Sequence, residues 1–283
     1  MPLNYIGSKA RLLPFIDSAW REVRDGDERT VCDLFAGSGA VAQHFARAGY
    51  LVTANDLQHY SYVLNAAYLI GPPPRLERLV RAAGLPGEDP PAEAISFLAA
   101  LPPSSGFLSR NYGPEGGRLY FSAENAARLD AARERLRQWH EEGLVVAGEH
   151  EYLLASLLEA ADRVANTASV YNAYLKRLKA TASQPLRLRP IAPAGSGRAC
   201  RRDANDLVHE AECDLLYLDP PYNTRQYGAY YHVLETIALG DEPVLHGVTG
   251  MRDYPRSRYC RPHEVRAAFA DLVASARARH ILV

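Results

Sequence analysis

The sequence predicts an α/β fold: a parallel sheet with helices on both faces. Three observations carry that expectation. An apolar run, Val31-Cys32-Asp33-Leu34-Phe35, enters a Gly-x-Gly turn at Gly37-Ser38-Gly39 and continues into helix-forming residues from Ala42 to Ala48. A second run, Tyr50-Leu51-Val52-Thr53-Ala54-Asn55-Asp56, closes on an acid. A third, Leu215-Leu216-Tyr217-Leu218, is stopped by Pro220 and Pro221. Strand, turn, helix and strand in that succession build a parallel sheet.

The remaining elements follow in order. An amphipathic helix is expected over residues 9–24, ahead of a first strand at 30–35. A helix over 58–69 follows the second strand and ends at Gly71-Pro72-Pro73-Pro74. From there to Pro114 the chain is rich in proline, glycine and alanine, with short helical pieces at 76–83 and 92–101. That stretch begins a mainly helical insertion. Helices are expected at 123–142, closed by Gly143, and at 149–164. Residues 190–198 read as a loop, and a short strand near 199–202 ends in Asp203-Ala204-Asn205-Asp206. No internal repeat is evident. The expected domains are 1–70 with 146–283, carrying the sheet, and 71–145 as the insertion.

Composition bounds the function. At 283 residues, 47% hydrophobic and 23% charged, the chain has the profile of a soluble globular protein. No apolar stretch approaches the ~20 residues of a membrane span, and Met1-Pro2-Leu3-Asn4 carries no signal-peptide pattern. A cytoplasmic location is the default expectation. Cys32, Cys200, Cys213 and Cys260 stand far apart, so no zinc site, no other metal and no disulfide framework is expected. Cys32 and Cys213 read as core residues. The sequence sets no oligomeric state.

The chemistry concentrates at strand ends. Glycine lets a turn be tight and lets a ligand approach without a Cβ in the way. Asp56 lies about 20 residues beyond the glycines, the spacing at which an acid meets a ribose hydroxyl in nucleotide-binding βαβ units. The third glycine of that fingerprint falls on Ala42. Asp219-Pro220-Pro221-Tyr222 makes a rigid loop with one carboxylate, fixed carbonyls and one aromatic ring. Such a loop suits a planar nitrogen compound: Tyr222 stacks on its face while Asp219 and the Pro220 carbonyl accept from an amino group. Alone, the tetrapeptide could be an ordinary strand-ending turn.

Together these motifs resemble the amino-group DNA methyltransferases that use S-adenosylmethionine, specifically the adenine-N6 class of type II restriction-modification systems. Asn4-Tyr5-Ile6-Gly7-Ser8-Lys9 resembles its amino-terminal cofactor motif, Asp33 to Gly39 its glycine loop, and Asp219 to Tyr222 its catalytic loop. Asn166-Thr167-Ala168-Ser169-Val170-Tyr171 and Asn223-Thr224-Arg225-Gln226-Tyr227-Gly228, running on to Thr236, extend the likeness. It covers most of the chain outside roughly 71–145. The resemblance implies a Rossmann-like methyltransferase sheet and S-adenosylmethionine as cofactor. Tyr5, Gly7 and Lys9 would line its methionine end, with Asp33, Phe35, Gly37, Ser38 and Gly39 beneath it. Asp56 and Leu57 would hold the ribose, Asp203 the adenine amine, and Asp219 would sit beside the methyl group. Asp203 and Asp206 could equally cap a helix. Tyr227 and His232 could steady the base or loop, with a buried structural His232 the plainer reading. The family's sheet has seven strands and residues 279–283 resemble the fifth, so its carboxyl-terminal strands are expected to be missing.

The net charge of −1 gives no sign of a nucleic-acid partner, but its distribution does. From Arg163 to Arg202 there are nine basic residues and no acid, Lys176, Arg177 and Lys179 among them, with Tyr171 and Tyr174 interleaved. Arg252, Arg256, Arg258 and Arg261 form a second cluster. Such stretches suit phosphate contacts, although a solvated face would look the same. Double-stranded DNA is the expected partner, met by Lys176, Arg177, Lys179, Asn223, Arg225, Tyr227, Arg252 and Arg258. The insertion is the candidate for target recognition, and a partner endonuclease is left open. Rival readings are a methyltransferase of RNA adenine or guanine amines, and a truncated cofactor- or DNA-binding protein without catalysis. A protein-glutamine methyltransferase ranks lower, because that class usually has Asn where Asp219 stands.

Overall fold

The computed structural model describes residue 3 and residues 5–283; Asn4, the first residue of the amino-terminal motif, lies outside the described residues. The elements run α1 (Leu13–Val23), β1 (Thr30–Asp33), α2 (Ala40–Arg47), β2 (Leu51–Asn55), α3 (His59–Tyr68), α4 (Glu77–Ala83), α5 (Pro90–Ala100), α6 (Phe107–Tyr112), α7 (Ala123–Glu141), α8 (Glu149–Val164), β3 (Gly197–Cys200), α9 (Ala204–Val208), β4 (Glu212–Tyr217), α10 (Tyr227–Tyr230), α11 (His232–Leu239), α12 (Val265–Ser275) and β5 (Arg277–Leu282). Among the described residues no helix is long and apolar enough to cross a membrane.

The chain divides into two compact units. The sheet unit comprises Gly7–Pro72, Pro193–Tyr227 and Pro255–Val283. Its five strands are all parallel, in the order β3-β2-β1-β4-β5. The strand order turns around at β1: the chain moves outward through β2 and β3, then resumes on the other side with β4 and β5. Strand pleating explains how both faces are covered, because neighbouring residues point to opposite sides. Val31 and Leu215 enter one core with Ile16 and Trp20 of α1 and Val41, Ala42, Phe45 and Ala46 of α2. Cys32 and Leu216, one position later in each strand, enter the other with Ala204 and Leu207 of α9 and Ala268 and Leu272 of α12. Ala42, standing where the fingerprint has its third glycine, is fully buried, and its small side chain suits the close approach of helix to sheet.

The helical unit comprises Met1–Ile6, Pro73–Ala192 and Gly228–Tyr254. Helix α7 packs on α5, α6 and α8, and α11 packs on α8. These contacts join residues 146–192 and 228–254 to the 73–145 segment, where the sequence reading had placed them with the sheet. The reason lies in α8: its buried Leu153, Leu154, Leu157 and Leu158 complete a helical core. Segment 165–192 then stays on that core, with the Tyr152 hydroxyl donating to the Ile191 carbonyl (2.8 Å) and Ser156 to that of Arg189 (2.7 Å).

Strand β3 begins earlier than the sequence suggests, at Gly197, and close approach to β2 explains it. A Cβ on Gly197 would lie 2.2 Å from the Val52 carbonyl oxygen. Gly197→Ala is therefore expected to destabilise the sheet unit by about 1–3 kcal/mol, as overpacking does, seen as a lower midpoint in chemical denaturation; an unchanged midpoint would contradict this packing.

Candidate active site

The carboxyl ends of β1, β2 and β4 bring the sheet unit's chemistry together, where open α/β sheets receive ligands beside the reversal of strand order. Asp33 ends β1, Asp56 follows β2, and Asp219 stands two residues beyond β4. The glycine loop runs from β1 to α2 with Gly37 and Gly39 both at positive φ (51° and 75°). A side chain at Gly39 would also collide with Asn65, whose Oδ1 lies 2.6 Å from the Cβ position.

Asp56 fastens this loop. Its carboxylate accepts from the Gly37 N–H (2.9 Å) and from the Gln58 N–H (2.9 Å). From α3, the Ser61 hydroxyl donates to the Gly37 carbonyl (2.6 Å), and Asn65 donates to the Ser61 carbonyl (2.9 Å). Asn55 joins the strand ends: its amide donates to the Leu34 and Arg202 carbonyls (3.2 and 3.1 Å) and accepts from the Arg202 N–H (3.1 Å). Ser61, Asn65 and Asn55 were missed by the sequence reading. A polar pair four residues apart on the buried side of an otherwise apolar helix was the signal available for the first two.

The amino-terminal motif is split between the units. Tyr5 belongs to the helical unit, where it stacks on Tyr231 (centroids 4.6 Å, 12° between planes), and the Tyr231 hydroxyl accepts from the Ile6 N–H (2.7 Å). Gly7 and Lys9 belong to the sheet unit. Lys9 pairs with Asp219, and its ammonium donates to the Gly7 carbonyl (3.2 Å). The Tyr227 hydroxyl comes against Gly7, 2.9 Å from where a Cβ would stand. Beyond the prolines, Tyr222 is 77% exposed, its ring open to a planar partner.

Asp203 has two engagements. Its carboxylate caps α9 by accepting from the Asn205 N–H (2.9 Å), and the same oxygen pairs with Arg258 (3.1 Å). Tyr259 packs edge-on against Phe35 (4.9 Å) and donates to Asn205 (2.7 Å), which buttresses the loop from beneath. Of the residues expected at nucleic acid, Lys176, Arg177, Asn223 and Arg225 are exposed. Lys179 donates to the Thr167 carbonyl (2.7 Å). Arg252 departs from the expectation: it is buried and held by both oxygens of Asp241 (2.7 and 2.6 Å). His232 is buried, with Nε2 2.8 Å from the Tyr171 carbonyl oxygen, and burial moves its pKa down to about 4. At the opposite, amino-terminal end of the sheet, Asp25, Glu28 and His280 converge, a cluster the sequence did not suggest. Arg279 pairs with Asp25 and Asp27 there (both 2.9 Å).

Charge sets what the strand-end site can hold. Burial, above all, pushes the Asp33 carboxyl up to about 8; the Phe35 N–H acts against it, and the negative charges of Asp219 and Asp56 add to it. Burial also raises Asp56. Lys9 is the cation that counters them. Asp33, holding its proton to about pH 8, is a neutral carboxyl that can donate as well as accept a hydrogen bond, and Asp219 is balanced by Lys9. The glycine loop presents no side chain at Gly37 and Gly39.

Comparison with known proteins agrees with this geometry. A family described as D12 class N6 adenine-specific DNA methyltransferase matches residues 5–283. The chain is 40% identical to the type II methyltransferase M.NlaIII of Neisseria lactamica, over 99% of this chain and 82% of that protein. It is 38% identical to the type II methyltransferase M.FokI of Planomicrobium okeanokoites, over 99% of this chain and 44% of that protein. It is 34% identical to the type II methyltransferase M.CviAII of Paramecium bursaria Chlorella virus 1, over 99% of this chain and 82% of that protein. The chain thus spans most of the length of two of these relatives and under half of the other. No solved structure matches.

The buried Asp33 makes stability depend on pH. The folded carboxyl keeps its proton to about pH 8, whereas an unfolded aspartate releases it near pH ~4. Between those values the unfolded chain binds fewer protons, so stability falls as pH rises through the window and levels off above it. Asp33→Asn removes that slope. Thermal melts from pH 5 to pH 8 should show the variant gaining on the parent by several degrees; parallel curves would contradict the burial of this carboxyl.

Proposed function

Because the chain belongs to the D12 class N6 adenine-specific DNA methyltransferase family, we propose that its strand-end site binds S-adenosylmethionine and directs the methyl group to adenine in duplex DNA. The reading includes a role as the modification enzyme of a restriction-modification system, as the names of its relatives suggest. The observation that carries it is the gathering of Asp33, Asp56 and Asp219 around the glycine loop with Lys9 among them.

The residues fit the cofactor. Its sulfonium and ammonium suit the carboxyl oxygens of Asp33 and Asp219, its ribose hydroxyls match Asp56 with Leu57 beside it, and Gly37 and Gly39 remove the Cβ atoms that would crowd it. Phe35 and Ser38 border the same loop, and Gly7 and Lys9 lie at its Asp219 end. The Asn205 N–H and Arg258 share one oxygen of Asp203, and its second oxygen can accept from an adenine amine. When bound, S-adenosylmethionine supplies an electrophilic methyl group and departs as a thioether.

The chain's own residues act on the base. A target adenine inside a duplex is out of reach and has to be extruded, at a cost of a few kcal/mol. Tyr222, already exposed, stacks on the extruded ring, a contact worth roughly 1–3 kcal/mol in single-strand binding. Asp219 and the Pro220 carbonyl accept from the two N6 hydrogens. An adenine amine is a weak nucleophile because its lone pair spreads into the ring; two acceptors at its hydrogens favour a pyramidal nitrogen with that pair free. Asp219 thus works by orientation and electrostatics. The amine needs no prior deprotonation, and its surplus proton leaves through Asp219 to water once the new bond exists. Pro220 and Pro221 keep the loop from relaxing. Tyr227, against Gly7, steadies the loop. Lys176, Arg177, Asn223 and Arg225 are the phosphate-contacting candidates in this reading, and the helical unit is the candidate for target recognition.

Two substitutions test it. Asp219→Ala is expected to lower methyl transfer to duplex DNA by roughly 10²–10³-fold or more, while cofactor binding stays within about tenfold of the parent. Asp56→Ala is expected to weaken cofactor binding with a smaller change in kcat. Labelled methyl transfer and equilibrium binding check both. Parental transfer by Asp219→Ala would overturn the reading.

A further inference from the structure

Within the sheet unit, the loop that follows β4 is held at its two ends and almost nowhere between. Leu218 enters it tied to β5, its N–H donating to the Leu282 carbonyl (2.9 Å). Asp219 pairs with Lys9, and Pro220 and Pro221 stiffen the first half. Residues 222–225 are all exposed. The Arg225 N–H donates to Asn223 Oδ1 (2.9 Å), a local turn. Among the described residues, 219–225 make no hydrogen bond from backbone to backbone.

Gln226 closes the far end. Its side-chain oxygen accepts from the Ser257 N–H (2.8 Å), and its amide nitrogen donates to the Ser257 carbonyl (3.3 Å). One side-chain amide thus copies the pairing that two strands make. Beside it the Cys260 thiol donates to the Arg225 carbonyl (3.2 Å). The segment that receives these bonds is a single tight turn, Arg258–Cys260, whose start is capped by Ser257 Oγ accepting from the Tyr259 N–H (3.3 Å). Tyr259 and Cys260 are buried, so the turn is a fixed support.

The same turn reaches the other half of the site. Arg258 pairs with Asp203, and Tyr259 packs against Phe35 at the start of the glycine loop. Ordering a glutamine costs side-chain entropy, and bonds that water could equally make add little net stability. What the pair does provide is a defined exit for the loop, set against the residues proposed to hold the cofactor. Methyl transfer depends on such registration, since small misplacements of the reacting groups cost much of the rate.

We infer that Gln226 is a positioning residue for methyl transfer: by pairing with Ser257 it fixes the exit of the catalytic loop, and with it the placement of Tyr222 and Asp219 relative to the cofactor. The inference rests on the proposed methylation of adenine in duplex DNA. Gln226 itself touches neither base nor cofactor in this account.

The test uses the full chain, labelled S-adenosylmethionine and duplex DNA. Gln226→Met keeps the length of the side chain and removes both hydrogen bonds. Its kcat is expected to fall on the order of tenfold or more, with KM for the cofactor within about threefold of the parent. Gln226→Glu, which keeps the acceptor and loses the donor, should fall between the two. Trypsin should release a fragment ending at Arg225 on the order of tenfold faster from Gln226→Met than from the parent, because cleavage follows the population of the opened loop. The thermal midpoint should stay within a degree or two. Parental kcat in Gln226→Met, a change confined to KM for the cofactor, or an unchanged rate of cutting at Arg225 would overturn the positioning role alone. A parent chain that transfers no methyl group to DNA would overturn the adenine reading and this role with it.

Discussion

Three carboxylates on the ends of adjacent strands, faced by one lysine, are the constraint on which the sheet unit is organised. Negative charges this close repel, and burial raises the cost; Asp33 answers by holding its proton to about pH 8. Lys9 answers for Asp219 by pairing with it. Asp56 is tied into backbone amides of the glycine loop and the start of α3. Each solution fixes a carboxyl group in place ahead of any ligand. A site pre-arranged in this way needs little reorganisation when the ligand arrives.

The sheet makes that arrangement possible. Its strands are parallel, so their carboxyl ends lie together, and the reversal of strand order at β1 sets Asp33 between β2 on one side and β4 on the other. Two cores, one on each face, hold these strands in register. The helical unit is built on a different economy of charge. Buried Tyr112, Tyr120 and Arg252 each meet a partner within the unit. Its exposed cations, Lys176 and Arg177, stand outside that network.

Much of the sheet unit was legible in the sequence because its signals are local. An apolar run, a glycine turn and an acid at the next strand's end are written within 26 consecutive residues, 31–56, and the structure has β1, the loop, α2 and β2 there. The prolines after Leu218 likewise mark the end of β4 within two residues. Helix α9 was foreseen only as the alternative in which Asp203 and Asp206 cap a helix, and α12 was not read because its buried Ala268 and Leu272 pack on distant partners such as Leu216 and Tyr259. The grouping of α8 and the 165–192 segment with the helical unit was hidden for the same reason: it follows from contacts between residues far apart in sequence. Charge was read least well. Counting arginines showed a basic cluster at 252–261, but not that Arg252 is spent on Asp241 and Arg258 on Asp203. Composition counts charges; only packing assigns their partners.

The most direct measurement is the identity of the nucleoside that receives the methyl group. Duplex DNA and RNA would each be incubated with the chain and labelled S-adenosylmethionine, digested to nucleosides and separated by mass. Label in N6-methyladenosine's deoxy form from the DNA, with none from the RNA, is the result this account predicts. Label in a guanine or cytosine derivative, or in RNA alone, would contradict it.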